Sequence, residues 1–326
     1  MRLGIVSVAL LAAGCESTAY YTQAISGQFK LLAAARPVES WLADPATPPT
    51  LRERLQTAQR IRAFASRELA LPDNGSYASY AELGRPFVVW NVYAAPQFSV
   101  EPKQDCFPIT GCVSYRGFFA EQDARRHAEK LRGQGYDVYI GGVPAYSTLG
   151  WFDDPLLSTF IRYPDAQLAR LVFHELAHQR VYARDDTTFN ESFAVVVEEE
   201  GVHRWLEAQG RAADLAAFRE AQARKRAFVA RVDDARERLA AIYRMNLTRE
   251  AMLEQKRGEF VRLRADYPGV PAEANNAYLV SIALYTQLVP AFERLLAEER
   301  GDLNAFYAKT QLLAKAGKAQ REQILR

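Results

Sequence analysis

The stretch His174-Glu175-Leu176-Ala177-His178, followed thirteen residues later by Glu191 in Phe189-Asn190-Glu191-Ser192-Phe193-Ala194, frames the reading of the whole chain. On an α-helix, residues four apart sit about 40° off alignment and about 6 Å apart along the axis, so both imidazoles reach one cation. Glu175 is offset sideways from the pair and suits a general base holding an attacking water. Glu191 offers a third ligand. Two imidazoles and one carboxylate, with a fourth position left to water, are the donor set of catalytic zinc, so the pattern points to a hydrolase using one Zn2+.

Local signals place this pattern on two helices. Asp165, or Pro164 at the first turn, starts a helix in which Leu168, Leu171 and Val172 recur at helical spacing. That helix is expected to run through Val181 to Ala183. Asp185-Asp186-Thr187-Thr188 then supplies a turn and a cap for a second helix near Phe189, with Val195, Val202, Trp205 and Leu206 as its apolar stripe. Two of only four histidines in 326 residues fall in the motif, which weighs against coincidence. His127 and His203 have no such company and read as surface or helix-packing residues.

The two motifs resemble the gluzincin metallopeptidases, whose third ligand is a glutamate on the following helix. Asn190-Glu191-x-Phe193-Ala194-x-x-x-Glu198 is similar to a segment of the zinc aminopeptidases. Glu198 lies two turns beyond Glu191 on one face and is expected to orient a ligand histidine. Tyr20-Tyr21-x-Gln23, Gly27-Gln28, Cys106-Phe107-Pro108-x-x-Gly111-Cys112, Tyr115-Arg116-Gly117, Ala145-Tyr146-Ser147-Thr148-Leu149-Gly150-Trp151 and Asn275-Asn276-Ala277-Tyr278-Leu279 extend a second resemblance over nearly the whole chain. They look like a family of bacterial lipoproteins labelled as zinc aminopeptidases. The resemblance implies peptide substrates and a cleft lined by an edge strand that grips extended peptide, with residues 137–148 as the candidate. The chain departs from the larger zinc aminopeptidases in two ways. Only twelve residues separate His178 from Glu191, and the glycine-x-methionine-glutamate-asparagine segment that captures a substrate's amine has no counterpart. Tyr146 and Tyr278 are candidates for a second donor to the developing oxyanion.

Residues 1–14 read as a signal peptide: Arg2, an apolar run from Leu3 to Ala13, and Ala12-Ala13-Gly14-Cys15. The run is far short of the ~20 residues that cross a bilayer. Ala13-Gly14-Cys15 resembles a lipobox, with Cys15 as the lipidated mature N-terminus; an ordinary secretory signal is the alternative. Cys106 and Cys112 remain as an isolated pair with Pro108 and Gly111 between them, which reads as a disulfide in an oxidising compartment. Glu16 is not the aspartate that resembles an inner-membrane retention signal, so the expected location is the periplasmic face of the outer membrane.

Composition bounds the rest. Forty-one basic against 39 acidic residues argue against nucleic acid as a partner, and 49% hydrophobic residues supply a core. The expected fold is α+β and predominantly helical. A small mixed or antiparallel sheet stands beside a gluzincin-like active-site helix pair, and a long C-terminal helical hairpin follows. Residues 15–160 should hold N-terminal helices and a β-rich section, and 161–326 the catalytic and C-terminal helices, packed as one unit. A helix over 18–44 with Ile25, Phe29 and Leu32 on one side, a helix over 50–69, and strands over 86–94, 98–100, 113–118 and 137–141 are expected. Two readings compete with a peptidase of the aminopeptidase kind: a zinc endopeptidase, and a non-enzymatic envelope lipoprotein with a structural metal. Oligomeric state is not legible.

Overall fold

The computed structural model describes residues 20–107 and 111–325; the leader, Cys15 and Pro108 lie outside the described residues. The chain is predominantly helical with small sheets, an α+β fold. Helix α1 covers residues 20–34. The helix expected to reach residue 44 ends there, because Pro37 restricts Arg36 to extended backbone. Strand β1 (Arg36–Pro37) pairs with β2 (Ser79–Ala81), and α2 (Val38–Ala43) restarts the helix. The buried side of α1 is also not the expected one. Ile25 and Phe29 are 56% and 61% exposed, whereas Leu31 is buried in the core and Gln23 meets the sheet.

Helix α3 (Pro49–Leu69) begins with proline at its first position, where a missing N–H costs nothing. The central sheet runs β6-β3-β7 and is antiparallel throughout: β6 is Tyr115–Phe118, β3 Val89–Pro96 and β7 Tyr136–Val143. Phe98–Val100 does not form a strand, since Pro96 ends β3 and Ser99 turns back to donate to its carbonyl. Alternation along β3 sorts the two faces. Trp90, Val92 and Ala94 pack with Ala124, Ala128 and Leu131 of α4 (Glu121–Gly133); Tyr93 and Ala95 pack with Ala277, Val280 and Leu284 of α9 (Asn276–Thr286). Strands β4 (Asp105–Phe107) and β5 (Gly111–Val113) form a hairpin closed by the Cys106–Cys112 disulfide. Strand β8 (Leu156–Leu157) pairs parallel with β2.

Two helices follow in tight succession, α5 (Asp165–Arg180) and α6 (Thr187–Ala208). The long hairpin of α7 (Ala212–Tyr243) and α8 (Arg249–Asp266) is tied to β7 by Lys256, which donates to Asp137 Oδ2 at 2.5 Å and to the Gln97 carbonyl at 2.9 Å. Helices α10 (Val289–Glu298), α11 (Leu303–Lys315) and α12 (Lys318–Leu325) complete the chain. Asn276–Glu298 has the length and mean hydropathy (1.2) of a membrane span; within it α9 packs on β3 and α6, and α10 on α6. One main core takes side chains from Leu31 through Leu157 and from Leu168 to Leu325, so both halves of the chain share it.

Candidate metal centre

The turn between α5 and α6 brings the two motifs together. Asn190 is 3% exposed, and its side-chain amide clamps Ala183 on both sides. It accepts from the Ala183 N–H at 2.7 Å and donates to the Ala183 carbonyl at 2.8 Å. That clamp ties Ala183 to the start of α6; α5 stops at Arg180 instead of Ala183, with Val181 already extended. Asp186 caps α6 by accepting from Phe189 N–H at 3.1 Å, and its other oxygen meets buried Arg321 of α12 at 3.1 Å. Phe193 packs among Phe292, Phe306 and Tyr307. Asp186, Asn190 and Phe193 therefore fix the start of α6 around Glu191.

The result is a nearly equilateral triangle of donors. His178 Nε2 lies 3.2 Å from His174 Nε2, and Glu191 Oε2 lies 3.3 Å from the first histidine and 3.5 Å from the second. Ligands about 2.0–2.1 Å from a tetrahedral zinc stand roughly 3.3 Å apart, so the triangle fits such an ion. All three side chains are buried, and among the described residues this is the one His, Cys, Asp and Glu group able to share an ion. Glu175 stands beside it, 8% exposed, lining the same cavity of 430 Å³. Burial raises its carboxyl above the ordinary range, against the pull of His174 and His178.

A family model described as "Putative aminopeptidase" matches residues 19–325. The chain belongs to this family. No curated protein and no solved structure matches the chain. Membership supports a peptidase in general terms, and the side chains around the triangle give that reading its chemistry.

Glu198 is fully buried and accepts from His174 Nδ1 at 2.9 Å, leaving Nε2 free to face the triangle. Burial alone would raise its carboxyl; Arg170 and His174 instead hold it at about 2. Arg170 places one guanidinium nitrogen 3.0 and 3.1 Å from the two Glu198 oxygens. Sequence reasoning missed Arg170, although it stands one turn before His174 on the same helix. Tyr115 was also missed as a site residue: its hydroxyl donates to Glu191 Oε1 at 3.3 Å, leaving Oε2 toward the histidines. Tyr285 stacks on His174, with ring centroids 6.3 Å apart. Burial opposes the Glu191 charge, and the two histidines hold its carboxyl down at about 2.

Of the two tyrosines considered as second donors, Tyr146 lines the cavity and its buried hydroxyl has no partner among the described residues. Tyr278 does not line it; the ring packs edge-on against Tyr139, 5.2 Å away, and the α9 tyrosine at the cavity is Tyr285, two turns on. Strand β7 is an edge strand, and Val143, Ala145, Tyr146 and Ser147 furnish part of the cavity wall. His127 packs on Phe118 and His203 lies beside Glu207, both away from the triangle. The disulfide hairpin rests on the α5–α6 turn, where Asp185 accepts from Cys112 N–H at 2.5 Å.

Proposed function

We propose that the protein is a zinc-dependent peptidase, acting as an aminopeptidase on peptides in the cell envelope. One observation carries the reading: three buried donors, 3.2 to 3.5 Å apart, share a cavity with a carboxylate that is not among them. A structural zinc takes four protein ligands, and no fourth side chain joins this group among the described residues, which weighs against a non-enzymatic scaffold. Bound by His174, His178 and Glu191, a divalent ion supplies Lewis acidity to the peptide carbonyl and acidifies the attacking water.

The chain's own residues do the rest. Glu175 takes the water's proton and delivers it to the departing amine. Glu198, held by Arg170, fixes the His174 ring with Nε2 outward, and Tyr115 fixes Glu191. The Tyr146 hydroxyl donates to the carbonyl oxygen as charge builds there. The wall over residues 143–147 borders the bound peptide, with β7 available for backbone pairing.

The zinc endopeptidase reading rests on a different observation. Among the described lining residues the carboxylates are Glu175 and Glu191 alone, so a free α-ammonium meets no further acid. Incubating metal-loaded protein with a peptide mixture, followed by mass spectrometry of the fragments, tests both. Loss of single N-terminal residues, abolished by N-acetylation and by Glu175→Gln, supports the aminopeptidase; internal cuts that survive acetylation support the endopeptidase. Absence of any metal-dependent cleavage refutes the peptidase reading.

The location proposed is the periplasmic face of the outer membrane, through a lipid on Cys15. The Cys106–Cys112 disulfide supports an oxidising compartment. Recovery of the protein in the cytosol or solely in the inner membrane would refute it.

A further inference from the structure

Tyr20-Tyr21-x-Gln23-x-x-x-Gly27 takes no part in the chemistry above, yet it seats α1 against the catalytic cavity. The Gln23 side chain accepts from Phe119 N–H at 3.1 Å and donates to the Gly117 carbonyl at 3.4 Å. These are backbone groups along β6 and its end, on the edge away from β3, so one glutamine amide occupies a position that a neighbouring strand would take. Gly27 lies one turn on, where a Cβ would come within 2.3 Å of the Phe119 ring, so the helix sits flush. Leu31, a further turn along, is anchored in the main core.

Docked in this way, α1 presents Tyr20, Tyr21 and Ala24 to the cavity that holds His174 and Glu175. Phe119, Val143 and Tyr146 line the same cavity, the last packed edge-on to Phe119 with centroids 5.6 Å apart. No Lys, Arg or Asp lines this cavity among the described residues, and its two glutamates are at the metal triangle. A charged side chain entering between α1 and the sheet would lose its water and gain no counter-charge. A large apolar one would exchange water for aromatic and aliphatic wall.

We propose that α1 builds the specificity pocket of the enzyme, and that this pocket receives a large uncharged side chain of the leucine or phenylalanine class beside the scissile bond. The inference rests on the peptidase reading for its location, and the helix is its selecting element. While Gln23 holds Gly117 and Phe119, extended peptide cannot add to that edge of β6, which leaves the β7 edge as the one for backbone pairing.

Two measurements test it. Rates on peptides differing only at the residue beside the scissile bond should favour leucine and phenylalanine over lysine and aspartate by at least ~10-fold in kcat/KM. In the same series Ala24→Trp should lower the phenylalanine-to-alanine rate ratio by ~10-fold or more, and Gln23→Ala should narrow the apolar preference. Calorimetric titration of the folded Glu175→Gln protein with the same peptides reads the pocket without turnover. It should show tighter binding of the phenylalanine peptide than of the lysine peptide, and loss of that difference in the Ala24→Trp double variant. Cleavage with equal rates for lysine and leucine, or a ratio unmoved by Ala24→Trp, overturns the pocket while leaving the peptidase standing. An inactive wild type whose Glu175→Gln form still discriminates the peptides refutes the peptidase and keeps the pocket; equal binding refutes the pocket.

Discussion

Arg170 holds both carboxylate oxygens of Glu198, at 3.0 and 3.1 Å, and Glu198 in turn receives His174 Nδ1 at 2.9 Å. A cation on the surface side of α5 thus sets the tautomer of a candidate metal ligand through a fully buried acid. Replacing such a supporting residue typically costs about 10- to 100-fold in metal affinity. Arg170→Leu should weaken zinc binding by that order in a chelator competition titration, with Glu198→Ala matching it. Unchanged affinity in folded Arg170→Leu protein would contradict the assigned role.

Asn190 stitches the α5–α6 turn through two buried hydrogen bonds to Ala183. Removing both partners' complement leaves a backbone donor and acceptor unsatisfied, at about 2–3 kcal/mol in total. Asn190→Ala should therefore melt several degrees below wild type and bind zinc more weakly, because Glu191 is the next residue. A melting curve superimposable on wild type would show that the clamp is dispensable.

Tyr146 lines the cavity, and its buried hydroxyl has no hydrogen-bond partner among the described residues. If it donates to the developing oxyanion, Tyr146→Phe lowers kcat by about 100-fold while KM moves little, since the bond forms in the transition state. Steady-state kinetics on one peptide decide this; retained turnover excludes Tyr146 from that role.

Asp154 links the loop before α5 to the segment carrying Tyr77, which is itself held at φ 62° and donates its N–H to the Asp154 carbonyl at 2.6 Å. Burial raises the Asp154 carboxyl to about 6, against the pull of the Thr148 N–H. A folded value above the unfolded one, about 3.9, means that folding takes up a proton between them. The stabilising contribution is complete below the unfolded value and is lost as pH rises through about 6. Asp154→Asn removes that dependence, so the variant should be more stable than wild type by about 2 kcal/mol at pH 7.5 and lose this advantage near pH 4. Identical differences at both pH values would contradict the buried-acid account.

The parts of this molecule that were legible in the chain are those written in local spacing. The histidine pair, Glu191 and Glu198 lie on helices within twenty-five residues, and the cap Asp186 announces the second helix in the adjoining sequence. Tyr115 and Glu191 are 76 positions apart, and Gln23 and Phe119 are 96 apart. No periodicity encodes contacts at those separations. Ile25 and Phe29 misled because an apolar pair at helical spacing reads as a buried face. The face that docks is marked instead by Gln23, Gly27 and Leu31, a hydrogen-bonding amide, a missing side chain and one leucine. Tyr278 and Tyr285 share one helix, and only the tertiary fold decides which of them meets His174.

The most direct test of the account is anomalous diffraction at the zinc edge from crystals of the metal-loaded protein. One peak within about 2.1 Å of His174 Nε2, His178 Nε2 and Glu191 Oε2, with Glu175 outside the coordination shell, is the predicted result. Zinc bound elsewhere, or no peak inside that triangle, would contradict it.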